Sequence, residues 1–485
     1  MIEKHVHIVI PSSMDKALRS NLKDRTTDGK ESFALILAGK HDSDSTERLL
    51  GRTLIIPEMD CYESRSGGLI RLHRGFDEYV LTMAEKEKLA IIQVHTHLTD
   101  SIPYFSPVDD HSEGERASAI KAALGLDLAS IVFDRSARSY RARKWNTNGA
   151  SGVEERTATI VSEASSTAVA LDETDCPGDL YDRQVRAFGR HFQSAASKAK
   201  VGIVGLGGMG NALIASLSRL GVKHFVLVDP DRLEESNLNR MIGARFSDAR
   251  KGRSKVSLAT SLVKQVHGKD ADVKAFRCEA ETKRARKALA NCHIIVAATD
   301  NHSSRLFLQK LATAYYRPIV HAGVGLEGAN GKISRIIGRV ASPPVAGDWC
   351  LFCGGIIDPE LAGKESGDPE HLRMWKANGY LKDTPDPAVM WVNNMVASRA
   401  VATIHNLIYP FRNHRGGEDV YIDLLSDGML AIDHPKTGLE CPLCSPEGLR
   451  GLGDSLWEEI GHKGQELSLG DRDFEGDVSA REEQQ

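Results

Sequence analysis

Short apolar runs punctuated by polar residues recur through the first 145 positions. SFALILAG (Ser32–Gly39), TLIIP (Thr53–Pro57), AIIQVHTH (Ala90–His97) and LASIVFD (Leu128–Asp134) are β-branched and bounded by polar residues, which predicts strands. EYVLTMAEKEK (Glu78–Lys88) and SEGERASAIKAAL (Ser112–Leu124) carry helical patterns. Residues 1–145 therefore predict a mixed α/β domain. From Asn146 to Asp175 the chain turns to Ser, Thr, Ala and Glu with few large apolar residues, so 146–177 predict a linker. From Gly178 to Arg450 the pattern alternates. One helix is expected over Tyr181–Ala199, then strand KVGIVGLG, helix NALIASLSRLG, strand HFVLVDPD, helix KVSLATSLVKQVH, and strands DVKAFRC and CHIIVAATD. Such alternation predicts a doubly wound, mostly parallel sheet over 178–450. Residues 451–485 close the chain with an acidic, polar run that predicts a disordered tail.

Composition narrows the class. The chain has 485 residues, too many for one core, with 41% apolar and 26% charged positions. Its net charge of −4 argues against nucleic acid or a polybasic membrane contact. No apolar run reaches the roughly 20 residues that span a bilayer, and MIEKHVHIVIPSSMDK lacks the pattern of a signal peptide, so a cytoplasmic protein is expected.

Gly205, Gly207 and Gly210 make G-x-G-x-x-G between a strand and a helix, where close backbone approach and a helix N-terminus receive phosphate. Asp229 closes the next strand, where a carboxylate can bind a ribose hydroxyl. Alone, this pattern suits NAD. The following run, VDPDRLEESNLNRM, adds the acidic partner Asp231 and then Asn237 and Arg240; Lys255 and Asp300 come later. Cations for a triphosphate and a carboxylate for Mg²⁺ suit ATP chemistry better than hydride transfer.

Together, YDRQVRAFG, GLGGMG, VDPDRLEESNLNR, KGRSK, TDN and paired C-x-x-C motifs resemble the ThiF/MoeB/E1 adenylyltransferases over about Tyr181–Cys444. The resemblance implies a Rossmann-like domain that joins the C-terminal glycine of a small β-grasp protein to AMP, releasing pyrophosphate. Carried onto matching residues, Asp229 holds the ribose, Asn237, Arg240 and Lys255 meet the phosphates, and Asp300 binds Mg²⁺. Arg183 acts on phosphate, supplied across a homodimer.

Four of the eight cysteines form two C-x-x-C knuckles, Cys350/Cys353 and Cys441/Cys444, able to supply four thiolates to tetrahedral Zn²⁺ or to act in redox chemistry. The resemblance favours a structural zinc. Many E1 enzymes also carry a thioester cysteine in the crossover segment, yet residues 354–440 contain none. The activated carrier then passes directly to an E2-like protein or a sulfur donor, or Cys176 serves. Cys278 and Cys292 are expected in packing roles.

His95 and His97 alternate on a strand end, so both rings face one side, and Ser106 and Asp109 follow. Two imidazoles and a carboxylate make a Zn²⁺ site with one position open for water. The pattern resembles the JAB/JAMM (MPN+) metalloproteases, with a cytidine-deaminase-like α/β fold, over about Glu31–Asp109. Glu31 is then the general base and Ser106 an oxyanion donor. The gap between His97 and Ser106 is eight residues where seven is usual, which keeps Asp110 open as a substitute for Asp109; His111 is expected in solvent.

The two resemblances imply a fused peptidase and activating enzyme in a bacterial ubiquitin-like conjugation pathway, by analogy an antiphage one. The rival expectations are activation of a sulfur carrier for thiocarboxylate formation, a non-catalytic N-terminal docking module, and an NAD enzyme.

Overall fold

A computed structural model describes residues 4–43, 46–147, 153–163, 179–329, 331–367, 369–377, 388–413, 416–426, 428–434 and 438–457. Two compact units emerge. The described part of the first draws on residues 4–163, 314–316 and 446–457, and that of the second on 179–313 and 317–445.

The first unit contains β1 (His5–Val9), α1 (Ser12–Arg25), β2 (Phe33–Asp42), β3 (Thr46–Ile55), β4 (Tyr62–Arg65), β5 (Ile70–Leu72), α2 (Arg74–Lys86), β6 (Ala90–Thr96), α3 (Pro107–Leu124), β7 (Leu128–Phe133), β8 (Tyr140–Thr147) and β9 (Val153–Val161). Among the described residues, strands β1-β3-β2-β6-β7-β8-β9 close into a barrel, while β4 and β5 form a separate hairpin. Closure comes from β1, which pairs in parallel with both β3 and β9. Ile8, Ile36, Ile92, Ile131 and Phe133 fill the core with Leu18 and Leu22 of α1. Strand β6 is buried at every position, as a central strand should be.

Two expectations are corrected here. The stretch expected as a linker holds β9, whose Ala158 and Ile160 sit against Val6 and Ile8 of β1, so the first unit's sheet runs past residue 145. The tail does not begin at 451: the Gly451 carbonyl accepts from the Gly39 amide, and the Asp454 amide donates to the Lys40 carbonyl at 2.7 Å. The acidic run from 458 and Cys176 lie outside the described residues.

The second unit contains α4 (Asp182–Phe188), α5 (Arg190–Lys198), β10 (Lys200–Val204), α6 (Gly208–Leu220), β11 (His224–Val228), α7 (Phe246–Arg250), α8 (Lys255–His267), β12 (Asp272–Phe276), α9 (Lys283–Ala290), β13 (Ile294–Ala297), α10 (His302–Ala314), β14 (Ile319–Ala329), β15 (Lys332–Ser342), α11 (Pro359–Glu365), α12 (Pro369–Ala377), α13 (Met390–Ile408), β16 (Glu418–Asp423) and β17 (Gly428–Ala431). The sheet order is β12-β11-β10-β13-β14-β15-β16-β17. β12 to β14 are mutually parallel, as expected; β15 to β17 are antiparallel, a part the alternation did not announce. Successive strands leave β10 on one side and return on the other at β13, which makes the end of β10 the switch point where ligands bind in such sheets. The helix expected over Tyr181–Ala199 breaks at Gly189, whose φ of +85° no helix accommodates. The polar stretch Asp358–Asp386 carries α11 and α12.

His405 of α13 is 6% exposed and enclosed by Phe192 at 3.9 Å and Phe188 and Phe411 at 4.7 Å, ring centroid to centroid. Burial, with help from Arg412, pushes its imidazole down from 6.5 to about 4. A histidine whose folded pKa lies below its unfolded one stabilises fully above 6.5, and that contribution falls as the unfolded chain gains a proton toward pH 4. The urea-unfolding midpoint is expected to drop over this window by an equivalent of roughly 2–3 kcal/mol. His405→Leu should flatten that part of the pH dependence; an unchanged slope would refute the assignment.

Candidate functional site

The glycine turn is built from main-chain constraints. Gly205 follows β10 with φ of +86°, and a Cβ there would lie 2.6 Å from the Ala298 carbonyl oxygen. A Cβ at Gly210 would lie 1.9 Å from the Gly205 carbonyl oxygen. These two glycines let α6 start directly over β10, with its first amides open toward the strand end. At Gly207 nothing lies within 4 Å of an added Cβ, so its smallness leaves room for a ligand rather than for protein.

Asp229 ties this turn to β11. One carboxylate oxygen accepts from the Leu206 amide at 2.6 Å and the other from the Asp231 amide at 2.8 Å. Asp229 is 5% exposed, and burial raises its pKa against the pull of Lys255. Each oxygen keeps a lone pair, so a ribose hydroxyl can still be bound. Lys255 begins α8 and pairs with Asp231 at 2.6 Å. Arg240 lies beside the turn, its side chain 3.3 Å from the Cβ position of Gly208, with a guanidinium nitrogen on the Ser236 carbonyl at 2.7 Å. Asp300 is exposed at the end of β13, beside Arg305.

Asn237 is buried, and its side-chain oxygen accepts from the Glu234 amide at 3.3 Å, closing its own turn. Arg183 lies on the exposed side of α4, and no described contact brings it to the glycine turn. Asn393 was not foreseen: its side-chain nitrogen lies 2.4 Å from the Cβ position of Gly208, at the start of α6. It belongs to α13, far along the chain, so no local motif announces it.

The four cysteine sulfurs converge. Cys350–Cys441 and Cys350–Cys353 are 3.8 Å apart and Cys353–Cys444 3.7 Å. Zn–S bonds of about 2.3 Å place thiolates about 3.8 Å apart on the edges of a tetrahedron, whereas a disulfide needs about 2.05 Å. The set thus fits a four-thiolate ion with no open position. Behind it, Asp419 receives Arg339 at 2.6 Å and His434 at 2.8 Å; Arg339 also donates to the Gly354 carbonyl, and His434 stacks on Trp349.

In the first unit, His95 Nε2 and His97 Nε2 lie 3.3 Å apart. Asp109 oxygens lie 3.5 Å from His95 and 3.4 Å from His97. One ligand atom from each of the three residues lies within 4.8 Å of the others, so the set suits an ion with three protein ligands and one position left open. Local structure makes this set. Phe33 of β2 pairs with His95 of β6, placing Glu31 beside the rings. Ser106 caps α3 by accepting from the Asp109 amide at 3.2 Å, while Asp109 accepts from the Ser106 amide at 2.7 Å. The Ser106 hydroxyl keeps its proton to donate. Asp110, the open alternative, is turned away into a 2.5 Å pair with Arg143. His111 is exposed and pairs with Glu115.

Charge in this cluster is set by proximity. Burial raises the Asp109 carboxyl, but hydrogen bonds from His95 and His97 outweigh it and hold Asp109 far below the ordinary range. His97 is pushed up chiefly by its bond to Asp109. Burial raises Glu31, which is 8% exposed, against the pull of His97 and His95.

The fold and the glycine turn of the second unit define a nucleotide-binding domain of the doubly wound class. Residues 181–414 match the model of the ThiF family, and this segment is similar to E1-like adenylyltransferase domains. The chain is 30% identical over 163 residues to ubiquitin-activating enzyme E1 1 of Candida albicans, covering 31% of this chain and 16% of that enzyme. It is 28% identical over 158 residues to the SAMP-activating enzyme E1 of Haloferax volcanii, covering 32% and 57%. It is 31% identical over 170 residues to the adenylyltransferase and sulfurtransferase MOCS3 of Arabidopsis thaliana, covering 33% and 35%. The matches therefore span less than two thirds of each of these relatives. No helix among the described residues is long and apolar enough to cross a membrane.

Gly210→Ala is expected to lower the Tm and to weaken ATP–Mg²⁺ binding at least about tenfold, or 1.4 kcal/mol, in calorimetric titration. Gly207→Ala should keep the wild-type Tm and lose binding alone. Equal Tm losses in both variants would contradict the geometry.

Proposed function

We propose that the chain activates the C-terminal glycine of a ubiquitin-like β-grasp protein with ATP, and that its first unit is a JAB/JAMM peptidase acting on the same carrier. The observation that carries the reading is the glycine turn pinned by buried Asp229, with Lys255 and Arg240 beside it, inside the segment that matches the ThiF family. The carrier's carboxylate attacks the α-phosphorus, an acyl–phosphate bond forms, and pyrophosphate leaves. Lys255 and Arg240 neutralise the phosphates, Asp229 holds the ribose, and Asp300 holds Mg²⁺; Asn393 is added to the residues near the triphosphate.

In the first unit His95, His97 and Asp109 would hold a zinc ion, which would supply Lewis acidity. Glu31 takes a proton from the attacking water and delivers it to the leaving amine, and the Ser106 hydroxyl donates to the developing oxyanion. The four cysteines hold a structural zinc. Arg183 acts from the partner copy of a homodimer, and an E2-like protein accepts the activated carrier in the cytoplasm.

A second reading, activation of a sulfur carrier, has its own support: the MOCS3 match and the absence of cysteine from 354–440. A thiocarboxylate product would favour it over a protein conjugate.

ATP–pyrophosphate exchange is expected with a cognate β-grasp protein and should fall at least a hundredfold in Asp300→Ala; exchange with none of the β-grasp proteins encoded near this one would refute the activation reading. Metal analysis is expected to find two zinc ions per chain, one lost in His95→Ala and the other in Cys441→Ser. Glu31→Gln should retain both ions and lose cleavage of a carrier fused at its terminal glycine to a fluorescent protein. If Glu31→Gln cleaves at the wild-type rate, the general-base role fails.

A further inference from the structure

Glu31 lies two residues before β2 begins, so the sheet ladder does not itself fix it. Ser32 is fastened to β6, its amide donating to the Thr96 hydroxyl at 2.8 Å. Glu31 is held instead by the β4–β5 hairpin. Its amide donates to the Ser66 carbonyl at 3.0 Å, and its carbonyl accepts from Arg65 Nε at 2.7 Å. Consecutive hairpin residues thus grip both main-chain groups of Glu31.

Arg65 reaches further. One terminal nitrogen donates to the Asp28 carboxylate at 2.7 Å and the other to the Arg25 carbonyl, and its side chain is 5% exposed. The turn from α1 into β2, including Gly29 at φ +75°, is therefore laced to one guanidinium. The planar fork of arginine suits this task, since its donors are fixed relative to one another. The hairpin also meets the other side of the metal face: a Cβ at Gly67 would lie 3.2 Å from Leu98 Cδ1, one residue beyond His97.

We propose that Arg65 is a positioning residue for Glu31, holding its main chain so that the carboxylate stands at the open position of the His95–His97–Asp109 face. The proposal rests on the peptidase reading of that face. It assigns a role in the reaction to a hairpin that belongs to neither the barrel nor the metal-binding motif.

The test uses the full-length protein loaded with Co²⁺, and reads the visible band of the first site as the difference from His95→Ala, which removes the contribution of the cysteine site. Glu31→Gln sets the size of the change when the carboxylate is lost. Arg65→Gln is expected to bind the same equivalents of Co²⁺ and to reproduce at least half of that spectral change. Arg65→Lys, which keeps the charge and loses the planar fork, should give an intermediate change. With the fluorescent carrier fusion, Arg65→Gln should lower kcat about tenfold with KM within twofold. A wild-type band in Arg65→Gln, with an altered one in Glu31→Gln, would overturn this proposal alone. No change in Glu31→Gln would remove the reading of Glu31, and this proposal with it. Should Arg65→Gln not fold, Arg65→Lys decides: a partial change supports the assignment, and a wild-type band with wild-type kcat overturns it.

Discussion

The second unit depends on one buried carboxylate. Asp229 spends an oxygen on the Leu206 amide and another on the Asp231 amide, joining the ends of β10 and β11 across the switch point of the sheet. A buried carboxylate without such partners would be costly to bury; with two charge-assisted bonds it fixes the turn that starts α6. The two close glycines then follow as necessities, because a side chain at either would strike backbone. Lys255, at the start of α8, and Arg240, from the loop after β11, bring charge beside this fixed main chain.

The first unit solves the same problem with different means. Its three converging side chains come from the end of a strand and a helix start, and the capping box at α3 does two things at once. It satisfies the first amides of the helix, and it orients Asp109 toward His95 and His97. The extra residue between His97 and Ser106 is absorbed in the loop and leaves the Ser106–Asp109 spacing intact. That spacing is set by the helix, which is why Asp109, and not Asp110, meets the rings.

What could be read from the sequence was local. Gly205 and Gly210, His95 and His97, and Ser106 and Asp109 act across a few residues, and each pattern carries its own geometry. The buried parallel strands were equally plain, since β10, β11 and β13 are short apolar runs. Strand β9 was hidden because VEERTATIV carries four polar residues in a row, Glu154 to Thr157, and closes against β1, from the other end of the unit. Asn237 was assigned to phosphate through the resemblance, and the contact by which its side-chain oxygen closes a turn with the Glu234 amide was not announced by the motif. Arg65 and Asn393 gave no signal at all, since each acts across a distance in sequence that no short motif spans.

The cysteine site shows why such distant contacts matter. Its two knuckles are ninety-one residues apart from Cys350 to Cys441, so loop closure alone sets a substantial entropic cost. Asp419 lowers it before any ion binds. Arg339, held by Asp419, grips the Gly354 carbonyl just after the first knuckle, and His434, also held by Asp419, stacks on Trp349 just before it. The buried carboxylate on β16 therefore gathers the chain on both sides of the gap, and the sulfurs reach tetrahedral spacing because the sheet beneath them has already set where the loops must end. The same logic runs through Asp229 and Arg65: in each case a charged group held inside the fold, with several hydrogen-bond partners, converts a loop into a fixed support.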